Sequence, residues 1–326
     1  MIILIILIIL LVFTILYTNS KKHNESFLGF NVKFLTKNES CSIILKNHKE
    51  YFSKMEFKES KIRGCINSFF QHKNIVENCN KHYCKNTLSF TEKDKKNLLI
   101  CLNIITNIYN NHFHKLLALP WNFIKVSENI EGGMPHTIKD CIVLPENFLR
   151  YLNYSIENNN KSILIDNICL TLIHEQIHVF QKMDYSIFKE LYQNYWNFDL
   201  CKIKLKKKYL KNQRINPDGL DHWCYKYNNK NIFPFVYLKE DYKYLNDVKT
   251  SAITIENGEI NYKKIYDIQN FNEYNNFFCN VSQNYHPNEI SAILLSDLII
   301  SKINNKDIIN CPALIKIMPW VKKYLK

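Results

Sequence analysis

One apolar stretch, residues 168–181, constrains the fold more than any other part of the chain. It has no glycine or proline and carries the pattern H-E-x-x-H, which predicts a buried helix. At helical pitch, His174 and His178 lie one turn apart on one face, so both imidazoles can reach a single cation. Glu175 projects beside them, where its carboxylate could take a proton from a metal-activated water. The alternative interpretation is a pair of hydrogen-bonded core histidines.

This helix is expected to have two different faces. Polar side chains recur on one of them, at Asn167, Thr171, His174, His178 and Gln181. Apolar side chains recur on the other, at Cys169, Ile173, Ile177 and Phe180. A helix of this kind packs into a core on one side and lines a cleft on the other.

A second stretch, from Tyr285 to Asp297, offers a third ligand. A catalytic zinc usually has three protein ligands and one open position. Pro287 suits the first position of a helix, and an apolar run follows it. Glu289 is the predicted ligand, with His286 as the alternative. Glu289 could instead be a first-turn acid that the helix dipole favours.

The two motifs together resemble the gluzincin metallopeptidases. His174-Glu175-x-x-His178 is followed by Asn288-Glu289-x-x-Ala292, and a glutamate on a second helix completes the zinc site in that clan. The resemblance implies a zincin-like fold, one Zn²⁺ ion, hydrolysis of peptide bonds, and Glu175 as general base. The small Ala292 would let the two helices pack closely.

Further candidates follow from this resemblance. The segment from Gly132 to Leu144 resembles the clan's edge strand, which binds extended substrate, so Ile138 and Cys141 are candidate substrate-binding residues. A tyrosine or histidine commonly stabilises the oxyanion in such enzymes. Three residues remain open for that role: Tyr285, His222 and His136.

The chain departs from the clan in two respects. The separation between His178 and Glu289 is longer than in the compact members, so an insertion must be accommodated. Ile293 stands where the clan has an acid, four residues after the glutamate. Asp297 is therefore the candidate for the carboxylate that orients a zinc histidine.

The N-terminus is expected to be a membrane anchor. Met1 to Tyr17 is rich in Ile and Leu, has no charged side chain, and is followed by Lys21 and Lys22. It would span about 25 Å as a helix, so residues 2–17 are predicted to cross the bilayer once, uncleaved. The lysines place the rest of the chain on the cytoplasmic side, or within a virion envelope or inner membrane. A signal peptide is the alternative.

Three regions are expected along the chain, in an overall α+β fold. Residues 1–18 are the transmembrane anchor, and residues 19–90 are an N-terminal extension, mainly helical or loop. Residues 91–326 are the metallopeptidase-like domain, with a long insertion at about 185–285. This domain should contain a small mixed or antiparallel sheet, the active-site helix and a mostly helical C-terminal part. Strands are predicted at 121–126, 138–144, 232–238, 251–255 and 259–262.

Composition narrows the possible partners. The net charge of +13 comes mostly from lysine, in a chain also rich in Asn, Ile and Tyr. AT-rich codons give this bias, so no specific nucleic acid is expected. Together with the anchor, the bias resembles proteins of large AT-rich DNA viruses.

The eleven cysteines contain no C-x-x-C pair. This argues against a zinc ribbon. Free thiols are expected, with a secreted disulfide framework as the alternative. Cys101, Cys141 and Cys169 lie in apolar stretches and are predicted to be core residues.

The leading hypothesis is a membrane-anchored zinc peptidase that acts on a peptide or protein substrate. The alternative is a non-catalytic membrane or virion protein with a structural zinc site. Glu175 argues against that alternative, because a structural site has no need of a base.

Overall fold

The structure is a computed structural model that describes residues 31–67, 74–203, 205–227, 230–256, 259–304 and 310–326. Its fold is α+β, as predicted. The anchor predicted at Met1 to Tyr17 lies outside the described residues. Among those residues, one helix, Ile163–Met183, is long and apolar enough to span a membrane. It carries the H-E-x-x-H motif, and half of it is buried inside the protein.

A five-stranded sheet lies at the centre of the N-terminal half. Its strands are β1 (Val32–Phe34), β2 (Thr87–Leu88), β3 (Trp121–Val126), β4 (His136–Ile138) and β5 (Cys141–Pro145). β1 and β5 are parallel to β3, β2 is antiparallel to it, and β4 is antiparallel to β5 at one edge. Two of its strands, β1 and β2, come from the predicted N-terminal extension, so the sheet includes residues on both sides of the domain boundary predicted at residue 91.

Helices cover both faces of this sheet. On one face are α1 (Lys37–Asn47), α2 (Lys49–Lys54), α3 (Phe57–Ile62) and α4 (Ile75–Lys85). On the other face are α5 (Glu92–His112), α6 (Glu146–Glu157) and α7 (Leu170–Met183). Alternate residues of a strand point to opposite faces, so Phe123 packs in the core with α5 to α7, whereas Ile124 packs in the core with α1, α2 and α4. A π-helical segment, Ile163–Cys169, runs directly into α7.

The insertion between the two motifs forms a second sheet. The strands of this sheet are β6 (Phe198–Leu200), β7 (Trp223–Tyr227), β8 (Lys230–Leu238), β9 (Val248–Glu256) and β10 (Glu259–Asp267). The insertion also contains three short helices, α8 (Tyr185–Glu190), α9 (Lys207–Leu210) and α10 (Asn272–Phe277). Its five strands are antiparallel in sequence order, which confirms the strands predicted from residue 232 to 262.

The chain ends in three helices: α11 (Pro287–Ile303), α12 (Pro312–Lys316) and α13 (Met318–Tyr324). α11 packs along α7, and Ala292 is fully buried in the core that the two helices share. Pro287 lies in the first turn of α11, as the sequence predicts, and His286 caps the helix.

The expectation of free thiols is wrong for eight of the eleven cysteines. They form four disulfides: Cys41–Cys84, Cys65–Cys79, Cys201–Cys224 and Cys279–Cys311. The partners are far apart in sequence, so only the fold brings them together. Cys101, Cys141 and Cys169 are free and buried, which agrees with their predicted place in the core.

Candidate metal centre

Helix α7 presents both histidines of the motif to one point. Leu172, Ile173 and Ile177 are fully buried and fix the rotation of the helix. The opposite face therefore points His174 and His178 away from the core. Their Nε2 atoms lie 3.0 Å apart and their rings are nearly perpendicular, at 82°. Two nitrogens at this spacing can bind one cation.

Helix α11 adds a carboxylate to this pair. One oxygen of Glu289 lies 3.5 Å from Nε2 of His174, and the other lies 3.4 Å from Nε2 of His178. The separation expected for three ligands of one zinc ion is about 3–4 Å. Among the residues that the structure describes, His174, His178 and Glu289 are the group of side chains that could hold a metal ion.

The charges around this group favour a cation. Burial alone would lower the pKa of His178, but Glu289 and Asp218 outweigh it and raise the pKa to about 10. Burial likewise would raise the pKa of Glu289, and the two histidines outweigh it and hold the pKa well below its ordinary value. The cluster thus attracts positive charge in a buried place. Two imidazoles and a carboxylate are also a donor set that zinc uses, so the residues fit the ion.

A hydrogen-bond network fixes the orientation of His178. Its Nδ1 lies 2.7 Å from Oε1 of Gln181, so Nδ1 carries a proton and Nε2 is the nitrogen that faces His174 and Glu289. The amide of Gln181 also donates to the backbone oxygen of Asn288 and to Oγ of Ser291, each at 2.9 Å. Tyr192 hydrogen-bonds the same Oγ at 2.9 Å. Gln181 therefore joins α7 to α11 directly behind the metal ligands.

Glu175 lies at the same cleft as the ligands. It is 5% exposed, and its Oε2 has no hydrogen-bond partner in the described part of the chain. Burial, followed by the charge of Asp218, raises the pKa of Glu175 to about 8. A buried carboxyl group with a raised pKa and an oxygen to spare suits general acid–base chemistry.

These groups line a cleft of about 390 Å³. The turn Asn216 to Gly219, between α9 and β7, contributes its first three residues to the lining. Nδ2 of Asn216 donates to Oε1 of Glu289 at 2.6 Å. Asp218 is bonded to Lys182 at 2.7 Å and to Thr137. Burial would raise the pKa of Asp218, but Lys182 and His178 outweigh it and lower the pKa to about 2.

The predicted substrate-binding strand needs a correction. Residues 138–144 do not form one strand, because Lys139 adopts a positive φ of 56° and the chain turns back there. Ile138 ends the edge strand β4, whereas Cys141 begins β5, which is enclosed between β3 and β4. Both backbone groups of Thr137 on β4 already bond side chains, its N–H to Asp218 and its oxygen to Lys182.

Of the three oxyanion candidates, only His136 lines the metal cleft. Its Nδ1 lies 3.3 Å from the carbonyl oxygen of Met134, which can only accept, so Nδ1 carries the proton. Nε2 is then an acceptor, buried and without a partner among the described residues. Burial lowers the pKa of His136 to about 4, so the ring stays neutral. In this tautomer Nε2 can accept a hydrogen bond from an N–H group of the substrate, but it cannot donate one to an oxyanion.

The other two candidates lie in a neighbouring cleft of about 610 Å³. The hydroxyl of Tyr285 is 2.6 Å from Nδ2 of Asn216, which separates it from Glu289. His222 packs against the ring of Phe233, with centroids 5.2 Å apart. Neither lines the metal cleft.

Two further candidates are also placed by the structure. Both ring nitrogens of His286 are bonded, Nδ1 to the backbone N–H of Asn288 and Nε2 to the oxygen of Asp221, so it does not replace Glu289. Asp297 lines the cleft, and burial raises its pKa, but no hydrogen bond or ion pair joins it to either metal histidine in the described chain. The charge of His174 opposes that rise in pKa, so the role of Asp297 beside His174 stays a prediction. The hydrogen bond seen at a motif histidine is the one between His178 and Gln181.

Sequence reasoning missed Gln181, Lys182, Asn216 and Asp218 as site residues. For Gln181 a signal existed, since it follows His178 by one helical turn on the polar face. Residues 216–219 were identifiable only as a turn. Comparisons with protein families, with curated proteins and with solved structures find no match for this chain.

Proposed function

We propose that this chain is a zinc-dependent peptidase of the gluzincin type. The observation that carries the proposal is the convergence of His174, His178 and Glu289 beside Glu175 at one cleft. The two motifs are distant in sequence, so nothing local forces them together. Hydrolysis of a peptide bond, rather than of another acyl group, rests on the resemblance of both motifs to that clan.

The residues have separate roles in this proposal. His174, His178 and Glu289 would hold Zn²⁺, which when bound acidifies a water molecule and polarises the scissile carbonyl. Glu175 accepts the proton of the attacking water and then passes it to the leaving amine. Gln181 keeps the proton of His178 on Nδ1, away from the ligand atom. His136 accepts a hydrogen bond from a substrate N–H.

The ligand number favours catalysis over a structural role. Structural zinc sites usually have four protein ligands, whereas the described part of this chain supplies three. The three also face a cleft that includes the unpartnered oxygen of Glu175.

The test separates the ligands from the base. In the detergent-solubilised full chain, His174→Ala, His178→Ala and Glu289→Ala should lose zinc, as measured by plasma mass spectrometry. Glu175→Gln should keep one zinc per chain and lower kcat on a peptide library by about 10²–10⁴-fold. The control is His112→Ala, because His112 is exposed at the end of α5. Equal loss of zinc in all four variants, or turnover in Glu175→Gln at the wild-type rate, would refute the proposed roles.

A further inference from the structure

The metal cleft and the neighbouring cleft share one basic side chain, that of Arg214. The chain has only three arginines among its 43 basic residues. Arg63 is buried and paired with Glu59 and Glu131, and Arg150 pairs with Glu128 at the surface. No ion pair or side-chain hydrogen bond of Arg214 occurs within the described chain, and its Nε is buried without a partner.

The backbone on each side of Arg214 is held firmly. Its N–H bonds the oxygen of Val236 on β8 at 3.0 Å. The next residue, Ile215, donates to Glu59 and accepts from Arg63, each at 2.8 Å. The base of the side chain is therefore fixed by a strand and by a buried ion pair. With its backbone fixed and its Nε buried, Arg214 has fewer positions to give up when its guanidinium binds an anion.

The surroundings define what Arg214 can bind. In the metal cleft, Asp218 is paired with Lys182, and Glu289 faces the two histidines. On the other side, the second cleft offers apolar surface from Leu210, Phe233 and Phe235. A chain that runs from the metal into this second cleft passes the guanidinium, and a planar carboxylate matches its fork of donors.

We propose that Arg214 binds a carboxylate of the substrate, and that the neighbouring apolar cleft takes the side chain next to it. This inference rests on the proposed peptidase function and adds a substrate class to it. The carboxylate is either the C-terminus of a peptide or the side chain of an acidic residue. In both cases an apolar residue beside it increases binding.

A structural role for Arg214 makes a different prediction. Burial raises the pKa of Glu59, and the guanidinium of Arg214 is one of the charges that oppose this rise, although it does not pair with Glu59. If that were its whole role, a substitution would change stability and would weaken all ligands equally. A purely structural role would not change how well the protein discriminates between a ligand with a carboxylate and the corresponding amide, so this discrimination is the quantity to measure.

The experiment compares three hydroxamate peptides on the zinc-loaded full chain by calorimetry. The first ends in Phe with a free carboxylate, the second is its amide, and the third is the amide with an Asp before the Phe. Wild-type protein should bind one or both acidic probes about 10- to 100-fold more tightly than the plain amide. The first probe reports a C-terminal carboxylate and the third an acidic side chain.

Arg214→Gln should remove this preference and leave the Kd of the amide unchanged. Arg214→Lys should restore part of it, because it keeps the charge without the fork. Arg150→Gln, the surface control, should behave as wild type. Hydroxamate binding without a preference for acid, or equal weakening of all three probes in Arg214→Gln, would overturn the assignment of Arg214 alone. Absence of hydroxamate binding to wild-type protein would overturn the peptidase proposal and this one with it.

Discussion

A neutral amide orients one of the metal histidines. Gln181 accepts from Nδ1 of His178 and donates to Asn288 and Ser291 on the opposite helix. Carboxylates or backbone oxygens more commonly hold such a histidine. The amide has one advantage here, because only a group that both accepts and donates can satisfy His178 and α11 together.

Replacement of Gln181 by leucine should therefore weaken zinc binding. The substitution keeps the side chain's approximate size, removes the acceptor for Nδ1 and removes the amide that donates to Asn288 and Ser291. We expect the zinc Kd to rise about 10- to 100-fold, as measured by competition with a chromophoric chelator. Gln269→Leu is the control, since Gln269 is exposed. An unchanged zinc Kd in Gln181→Leu would show that His178 needs no orienting partner.

The parts of the site that could be predicted from sequence are those within single helices. His174, Glu175 and His178 are fixed by helical spacing, and Glu289 by a second short motif. The choice between Gln181 and Asp297 was not predictable, because both lie on suitable faces and only the packing of α7 against α11 decides between them. Asn216 and Asp218 reach the site through the second sheet, whose position no local pattern encodes.

At the scale of elements, the site depends on how closely α7 and α11 approach. Ala292 is fully buried one turn after Glu289. Its small side chain lets the first turn of α11 lie near the histidines. In the second sheet, β8 to β10 were predictable from their alternation, whereas β6 and β7 were not. The central sheet was predictable only in part, since residues 138–144 turn back at Lys139.

Ala292→Leu should separate the two helices. Extra methyl groups in a full core cost about 1–3 kcal/mol in the free energy of unfolding. Glu289 would also move away from the histidines, so zinc affinity should fall along with the melting temperature. Ala118→Leu is the matched control at an exposed position. Zinc affinity equal to wild type in a folded Ala292→Leu variant would show that close helix packing is not required.

The start of α5 makes stability depend on pH. Asp94 completes a capping box with Thr91 and accepts from Lys125 at 2.8 Å. Burial would raise the pKa of Asp94, but the hydrogen bonds from Lys125 and Thr91 outweigh it and lower the pKa. A carboxylate with a lower pKa in the folded chain stabilises the fold above its ordinary pKa. That contribution is lost as the pH falls through the folded-state value.

Asp94→Asn should therefore lose about 2 kcal/mol of unfolding free energy at pH 7. Its stability should also decline less steeply than that of wild type on acidification below pH about 4. Urea titrations across this range measure both effects. Glu92→Gln, in the same helical turn but with a side chain 89% exposed, should match wild type. Parallel pH profiles for Asp94→Asn and wild type would contradict the assignment.

At the scale of the whole molecule, two features point to opposite sides of a membrane. Lys21 and Lys22 after the predicted anchor favour a cytoplasmic domain. The four disulfides favour an oxidising compartment, because cytosolic thiols are kept reduced. The disulfides join segments along the described chain, from Cys41 in α1 to Cys311 just before α12. The disulfides are the stronger indication, because the positive charge of the free N-terminal amine lies on the other side of the predicted anchor and offsets part of the effect of Lys21 and Lys22.

We therefore predict that the folded domain faces an oxidising compartment when the full chain is made in eukaryotic cells. Alkylation of the denatured, unreduced protein should modify three cysteines, and eleven after reduction. Asn38 begins an N-x-S sequon and is exposed, so it should carry a glycan that Asn38→Gln removes. Eleven reactive thiols without reduction, together with an unmodified Asn38, would instead place the domain in the cytoplasm. The four disulfides would then be absent from the protein in cells, and the fold would rest on its hydrophobic packing alone.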